Sequence, residues 1–189
     1  MKHLAIFASG AGSNAAKIIE HFRNHPSVQV TLIVCNNPAA GVVKIAESNG
    51  IPVLIIEREK FLRGDAYLPE LEKYQIHLIV LAGFLWKVPE LLIKSFEKRI
   101  INIHPALLPK YGGKGMYGLN VHQAVIEHKE KESGITIHYV DEKYDNGDII
   151  FQASCPVMET DTSVSLAERI HELEHKQYAL IIEKLAEKF

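Results

Sequence analysis

The sequence is poor in cysteine and has almost no net charge. Cys35 and Cys155 are the only cysteines among its 189 residues, too few for a disulfide framework, so we expect a reducing compartment. Lys and Arg number 21 against 23 Asp and Glu, which gives a net charge of -2. Without an excess of positive charge to neutralise phosphates, a general nucleic-acid binder is disfavoured.

Long apolar runs are also missing. The longest, residues 78–86, has nine residues and contains Gly83, whereas a membrane-spanning helix needs roughly 20. The apolar segment 4–8 is shorter than the roughly 7 to 15 residues of a signal-peptide core. We therefore expect a cytoplasmic chain without a membrane anchor.

The remaining composition is that of an ordinary globular protein. Apolar residues make up 47% and charged residues 23% of the chain, with 12 glycines and 8 prolines, so collagen-like, low-complexity and disordered classes are disfavoured. We find no internal repeat or linker in the sequence. We expect a single domain over residues 1–189.

Short apolar segments alternate with helical patterns in the first hundred residues. The apolar segments are rich in Val and Ile, which is typical of strands buried on both faces; they are residues 4–8, 28–35, 52–56, 78–82 and 100–103. Helical spacing is found in residues 14–22, 39–49, 60–74 and 89–98. This alternation predicts an α/β fold with a doubly wound, mostly parallel sheet and helices on both faces.

The second half of the chain has a different pattern. Prolines and glycines interrupt residues 105–118, and structureless loops of that length are usually functional. A helix is predicted over 121–131, followed by strands over 135–140 and 148–153 that an Asn-Gly turn joins. The last element is a long amphipathic helix over 163–188.

The first candidate site is a glycine-rich turn between the first strand and the first helix. Residues 8–15 contain the pattern G-x-G-x-x-A, in which exposed N–H groups at a helix start bind an anion. A dinucleotide would also need an acidic residue after the second strand, where the chain has Cys35 and two asparagines. Ser13 and Asn14 instead suit a terminal monophosphate. The alternative is a tight turn in which Ser13 only caps the helix.

The second candidate site lies at the end of the fifth strand. Asn102 and His104 are two residues apart, so they point to the same face of a strand. Ligands of open α/β sheets bind at this carboxyl edge, which favours a catalytic pair. The alternative is a hydrogen-bonded structural histidine.

The third candidate is the acidic turn 141–148, whose spacing does not fit a calcium-binding loop. A carboxylate here could reach a histidine on a neighbouring strand and favour its charged form. The alternative is a solvated hairpin tip.

A fourth pattern, H-E-x-x-H, begins at His171 and ends at His175. It has the spacing of two zinc ligands on a helix. The fourteen residues that follow contain no histidine, and their only carboxylates are Glu183 and Glu187. We attribute the match to chance and expect no metal site.

Several of these segments together resemble the phosphoribosylglycinamide formyltransferase family. The resemblance runs nearly end to end; it is carried by residues 9–14, 81–84, 102–111, 137–140 and 145–147 and by the pair Glu174 and His175. It implies a Rossmann-like formyltransferase fold. It also implies transfer of the formyl group of 10-formyltetrahydrofolate to the glycinamide amine of 5'-phosphoribosylglycinamide, in purine biosynthesis.

The resemblance further implies a role for each matching position. Gly12, Ser13 and Asn14 would hold the substrate phosphate, and Glu174 its glycinamide end. The positions that would bind the folate are Arg63, Leu85, Trp86, Lys87, Val88 and Asn102, with the backbone of residues 141–145 nearby. Trp86 stands where the family often has arginine. The family needs no metal, acts on small molecules and would be a monomer or a weak homodimer.

The implied catalytic residues are Asn102, His104 and Asp145. Attack of a neutral amine on a formyl carbon creates an oxyanion, which requires preorganised hydrogen-bond donors. Asn102 would supply an amide N–H and protonated His104 a charged one. Asp145 would raise the pKa of His104 and help to move the amine proton to the departing folate nitrogen.

Three other functions remain open at this stage. Formyltetrahydrofolate hydrolases and methionyl-tRNA formyltransferases share the pattern at 102–109. The hydrolases add an N-terminal domain, and the tRNA enzymes add a C-terminal domain and need a basic surface. A chain of 189 residues with a net charge of -2 disfavours both classes. A binding module without catalysis would keep its output when His104 is replaced by Ala.

Overall fold

A computed structural model describes residues 1–188 of the chain as alternating strands and helices. The strands are β1 Lys2–Ala8, β2 Val28–Cys35, β3 Val53–Ile55, β4 Ile76–Leu81, β5 Ile100–His104, β6 Glu132–Tyr139 and β7 Ile149–Pro156. The helices are α1 Ser13–Phe22, α2 Gly41–Ser48, α3 Arg58–Arg63, α4 Leu68–Lys73, α5 Glu90–Ser95, α6 Leu119–Glu127 and α7 Ser163–Ala186. None of the helices within residues 1–188 combines the length and apolar character needed to cross a bilayer.

The strands form one sheet in the order β3-β2-β1-β4-β5-β6-β7. Neighbours from β3 to β5 are parallel, whereas β6 runs antiparallel to both β5 and β7. The predicted doubly wound, mostly parallel sheet is therefore confirmed. From β1 the chain continues to β2 on one side of β1, whereas β4 lies on the other side. A crevice therefore opens at the carboxyl ends of β1 and β4, which is where open α/β sheets bind ligands.

Both faces of the sheet are buried, as the apolar runs predict. Leu4 and Ile6 of β1 pack into one apolar cluster that includes residues of α1, α2, α6 and α7. Ala5 and Phe7 point the other way, into a cluster that includes residues of α3, α4 and α5. The sheet is therefore fixed between two helical layers, and its carboxyl edge is a rigid support for side chains.

Two predicted helices differ from the structure. The predicted helix 60–74 is wrong as a single element, because α3 ends at Arg63 and the next residue, Gly64, has a φ of 86°. A Cβ on Gly64 would lie 2.8 Å from the Cβ of Leu91, so this position needs glycine for both conformation and space. The predicted helix 121–131 is too long, since α6 ends at Glu127 and Lys129 has a φ of 52°. The other boundaries shift by a few residues.

Helix α7 is anchored to the centre of the sheet by one buried hydroxyl group. Tyr178 is 1% exposed, and its hydroxyl donates a hydrogen bond of 2.8 Å to the carbonyl of Leu81, the last residue of β4. The helix start is fixed by reciprocal bonds between Thr162 and Ser165. These contacts set the position of the α7 residues that face the crevice.

Replacing Tyr178 by Phe removes this hydrogen bond and leaves a buried carbonyl without its side-chain donor. We expect the free energy of unfolding to fall by about 1–3 kcal/mol, measured by urea denaturation. Tyr117→Phe is the matched control, because that side chain is 57% exposed and should change stability by less than about 0.5 kcal/mol. Equal stability of the two variants would contradict the anchoring role of Tyr178.

Candidate active site

A cavity of about 550 Å³ occupies the crevice at the carboxyl ends of β1, β4 and β5. It brings together most of the site residues predicted from the sequence, namely Gly12, Ser13, Asn14, Leu85, Trp86, Lys87, Val88, Asn102, His104, Asp145 and Glu174. Arg63 does not line this cavity. It lines an adjoining groove of about 440 Å³, to which Lys87 and Val88 also contribute.

The turn after β1 presents free backbone donors to this cavity. Gly12 occupies the N-cap position of α1 with a φ of 81° and no side-chain cap, so Ser13 is not the cap that the alternative interpretation required. A Cβ on Gly12 would lie 2.8 Å from the Cβ of Val42, and glycine is therefore required here. The N–H groups of the first turn remain available for an anion.

The centre of the cavity holds the buried carboxylate of Asp145. Its Oδ2 atom lies 3.5 Å from His104 Nδ1 and accepts the N–H of Gly113 at 2.9 Å, while Oδ1 lies 3.7 Å from His138 Nε2. Burial raises the pKa of Asp145, but the two histidines and the Gly113 N–H outweigh it, so the pKa lies below its usual value. The predicted reach of an acidic-turn carboxylate to a histidine on a strand is confirmed.

His138 also lies beside Asp145, and its role could not be assigned from the sequence. It pairs with Asn102 in the register of β5 and β6. Its Nε2 lies 3.1 Å from the Asn102 amide nitrogen and 3.7 Å from Asp145 Oδ1, and its Nδ1 lies 2.8 Å from the carbonyl of Tyr139. The ring therefore positions the Asn102 amide beside the Asp145 carboxylate.

His104 is 3% exposed, and both of its ring nitrogens face protein groups. Nε2 lies 2.8 Å from the carbonyl of Tyr111 and must donate to it. Burial lowers the pKa of His104, and the opposing effects of Asp145 and Tyr111 do not restore it. Asp145 does raise the pKa of His104, as the sequence predicts, but burial outweighs this effect and the net shift is downward.

A second buried carboxyl group lies beside the turn after β1. Glu174 of α7 is 5% exposed and accepts a hydrogen bond of 2.8 Å from the Asn14 amide. Burial raises the pKa of Glu174 to about 7, and the bond from Asn14 opposes this only in part. The two carboxyl groups of the cavity thus differ, with Asp145 charged at neutral pH and Glu174 near its midpoint.

The H-E-x-x-H pattern lies on α7, where the rings of His171 and His175 stack. Within residues 1–188, no group of three His, Cys, Asp or Glu side chains is arranged to hold a metal ion. The part of the chain that the structure describes therefore supplies no third zinc ligand beside His171 and His175.

The raised pKa of Glu174 predicts a pH-dependent stability. Between pH 4.5 and 7 the native carboxyl group keeps a proton that the unfolded chain has released, so rising pH destabilises the fold. Relative to Glu174→Gln, the wild-type free energy of unfolding should fall by about 3 kcal/mol over this range, measured by urea denaturation at several pH values. Glu172→Gln, an exposed change on the same helix, should run parallel to the wild type. A constant difference between wild type and Glu174→Gln would contradict the burial of a titrating carboxyl group.

Comparison with known proteins gives a consistent result. The model of the formyl transferase family matches residues 2–182. A phosphoribosylglycinamide formyltransferase, chloroplastic, from Arabidopsis thaliana is 43% identical over 98% of this chain, which spans 66% of that protein's length. The phosphoribosylglycinamide formyltransferase of Bacillus subtilis is 36% identical, over 98% of this chain and 95% of that protein.

A solved structure resembles the whole fold. The crystal structure of glycinamide ribonucleotide transformylase 1 from Symbiobacterium toebii has a TM-score of 0.90 and 30% identity, and the match covers 100% of this chain and 89% of that one. The family model and the full-length similarity to these relatives show that the chain belongs to the formyl transferase family.

Proposed function

We infer that this chain transfers the formyl group of 10-formyltetrahydrofolate to the glycinamide amine of 5'-phosphoribosylglycinamide. The products are formylglycinamide ribonucleotide and tetrahydrofolate, in purine biosynthesis. One observation carries the inference: a single cavity of about 550 Å³ joins an uncapped helix start to Asn102, His104 and Asp145. Its volume lies within the usual range for small-molecule sites, and the relatives are named for this reaction.

The substrates are assigned to the two sides of the cavity by the groups that line it. The phosphate meets Gly12, Ser13 and Asn14, whose backbone donors have no capping side chain. Glu174 receives the glycinamide end in this proposal, and its bond to Asn14 keeps it next to the phosphate turn. Among the described residues, no three His, Cys, Asp or Glu side chains are grouped to hold a metal ion. The proposed chemistry uses no metal.

The folate lies on the other side, along the loop after β4 and the backbone of residues 141–145. Trp86 contributes an aromatic wall, since its ring packs against Phe61 and Phe84 at centroid distances of 5.9 and 6.2 Å. The acidic tail of the folate leaves past Lys87 into the adjoining groove, where Arg63 meets it. Arg63 therefore keeps a folate-binding role in the proposal although it lies outside the main cavity.

The reaction begins when the amine nitrogen attacks the formyl carbon. A new C–N bond forms, and the formyl oxygen becomes an oxyanion. The Asn102 amide, whose nitrogen lies 3.1 Å from His138 Nε2, donates an N–H to that oxygen. The oxyanion also offsets the desolvation that lowers the pKa of His104, so the imidazole takes a proton from solvent as the intermediate forms and releases it to solvent when the intermediate collapses.

The second step breaks the bond between the formyl carbon and N10 of the folate. Asp145 is charged at neutral pH because its pKa is lowered, so it accepts the proton that the amine loses and returns it to N10. The Nε2–H of His104 reaches the oxyanion only after the Tyr111 carbonyl, 2.8 Å away, releases it. Substrate binding must therefore move the chain at Tyr111.

The compartment and the assembly remain predictions. A cytoplasmic protein, a monomer or weak homodimer, and the absence of a nucleic-acid partner are what the sequence favours. The Arabidopsis relative carries the word chloroplastic in its name.

The direct test follows the absorbance change as 10-formyltetrahydrofolate loses its formyl group, with and without phosphoribosylglycinamide. We expect a change only when the glycinamide is present. Loss of the formyl group without it would indicate a hydrolase and contradict the proposal. No change in either reaction would favour another acceptor, such as a formyl-accepting tRNA, or a binding module.

Replacing His104 by Asn should lower kcat by about 10²–10⁴-fold and change KM by no more than a few-fold, because the lost contact strengthens only in the transition state. Steady-state kinetics in both substrates measure this effect. His128→Asn is the control, since His128 is exposed and does not line the cavity. A His104→Asn protein with most of its kcat would show that the mechanism is wrong even if the reaction is right.

A further inference from the structure

Tyr111 connects the histidine of the proposed mechanism to a group outside the cavity. Its carbonyl lies 2.8 Å from His104 Nε2, which donates to it, and its hydroxyl donates a hydrogen bond of 2.9 Å to Glu130 Oε1. His104 lines the cavity, whereas Tyr111 and Glu130 do not. The contact between the Tyr111 and Glu130 side chains can therefore affect His104 without any change in the cavity wall.

Glu130 is a well-supported acceptor for the Tyr111 hydroxyl. It follows the end of α6, and its side chain is 26% exposed. The carboxylate oxygen that accepts from Tyr111 also accepts from the Lys110 ammonium at 2.8 Å. Burial and the Glu130 carboxylate raise the pKa of the Tyr111 hydroxyl to about 12, so the hydroxyl keeps its hydrogen and remains a donor at neutral pH.

The backbone of Tyr111 has a conformation that bulky residues rarely adopt. Its φ is 58°, in the left-handed region, and a residue other than glycine stays there only where its surroundings hold it. The carbonyl of Tyr111 is held by His104 and its hydroxyl by Glu130. Because both bonds act on the same residue, the loss of one makes the other easier to break.

The observed contact is an inhibited state for the proposed reaction. An N–H group that donates to a carbonyl at 2.8 Å is not available to an oxyanion. The proposed formyl transfer needs the Nε2–H of His104, so the Tyr111 carbonyl has to leave before that bond forms. Any interaction that keeps the carbonyl on His104 in the free protein therefore adds to the free energy that the substrates must supply.

We propose that Glu130 and the Tyr111 hydroxyl are positioning residues that keep His104 in this inhibited state until substrate binds. The proposal rests on the proposed function and adds an autoinhibitory contact to it. The bond between Tyr111 and Glu130 belongs to the free protein and opens when the carbonyl releases His104. Both residues act through the Nε2–H of His104 and do not contact the substrates.

The first test is kcat/KM for 10-formyltetrahydrofolate in Tyr111→Phe, which removes the hydroxyl and keeps the ring. Because kcat/KM compares the free enzyme with the transition state, loss of a bond made only in the free protein should raise it by about 2–10-fold. A residue that only stabilises the fold would leave kcat/KM unchanged or lower, and either result overturns the proposal. Tyr74→Phe is the control, since Tyr74 precedes β4 at the opposite edge of the sheet, and should leave kcat/KM unchanged.

Variants of Glu130 test the same bond from its other end. Glu130→Ala removes the acceptor and should raise kcat/KM by a similar factor, whereas Glu130→Gln keeps a carbonyl oxygen for the Tyr111 hydroxyl and should stay close to the wild type. The double variant of Tyr111→Phe and Glu130→Ala should gain no more than either single change. Additive gains would overturn the proposal. Glu127→Gln, an exposed change at the end of α6, is the matched control.

A second measurement does not depend on turnover. The bond to the Tyr111 carbonyl raises the pKa of His104 against the effect of burial, so a variant that loosens this bond should show a lower pKa. NMR titration of the free protein measures it, with the His104 signal assigned by its loss in His104→Asn. An unchanged His104 titration in Tyr111→Phe and Glu130→Ala would overturn the proposal. A lowered pKa in both variants, with no formyl transfer by the wild type, would support the contact and contradict the proposed function.

Discussion

The candidate site depends on one buried carboxylate, that of Asp145. Its side chain is 11% exposed, and its two oxygens face His104, His138 and the N–H of Gly113. An ionised carboxylate is costly to bury without such partners. Asp145 also has a φ of 53°, a left-handed conformation that aspartate tolerates better than most residues. The loop after β6, the end of β5 and the start of the glycine-rich loop must therefore fold together around it.

The two carboxyl groups of the cavity have pKa values that are shifted in opposite directions. Asp145 has neighbours that stabilise its charge, so its pKa falls. Glu174 has only the Asn14 amide, so desolvation raises its pKa to about 7. Two carboxyl groups whose environments separate their pKa values are suited to different tasks. In the proposed mechanism, Asp145 transfers the proton and Glu174 receives the glycinamide end of the substrate.

The sequence predicted the sheet and the cavity lining well because both have local signatures. Strands buried on both faces are continuous apolar runs, and the turn at residues 8–15 lies directly between a strand and a helix. The break at Gly64 was hidden because Phe61, Leu68 and Leu71 continue a helical spacing across it. The role of His138 depends on the pairing of β5 with β6. The contact of His104 with Tyr111 involves a backbone carbonyl, which has no signature in the side-chain sequence.

The central claim is that Asp145 and His104 act as one unit in formyl transfer. A double-mutant cycle of Asp145→Asn and His104→Asn, read out as kcat/KM, tests it directly. Residues that act as a unit are strongly non-additive, so the effect of Asp145→Asn should be at least about tenfold smaller in the His104→Asn background than in the wild type. An equal loss in both backgrounds would show that the two residues act independently and would contradict the account.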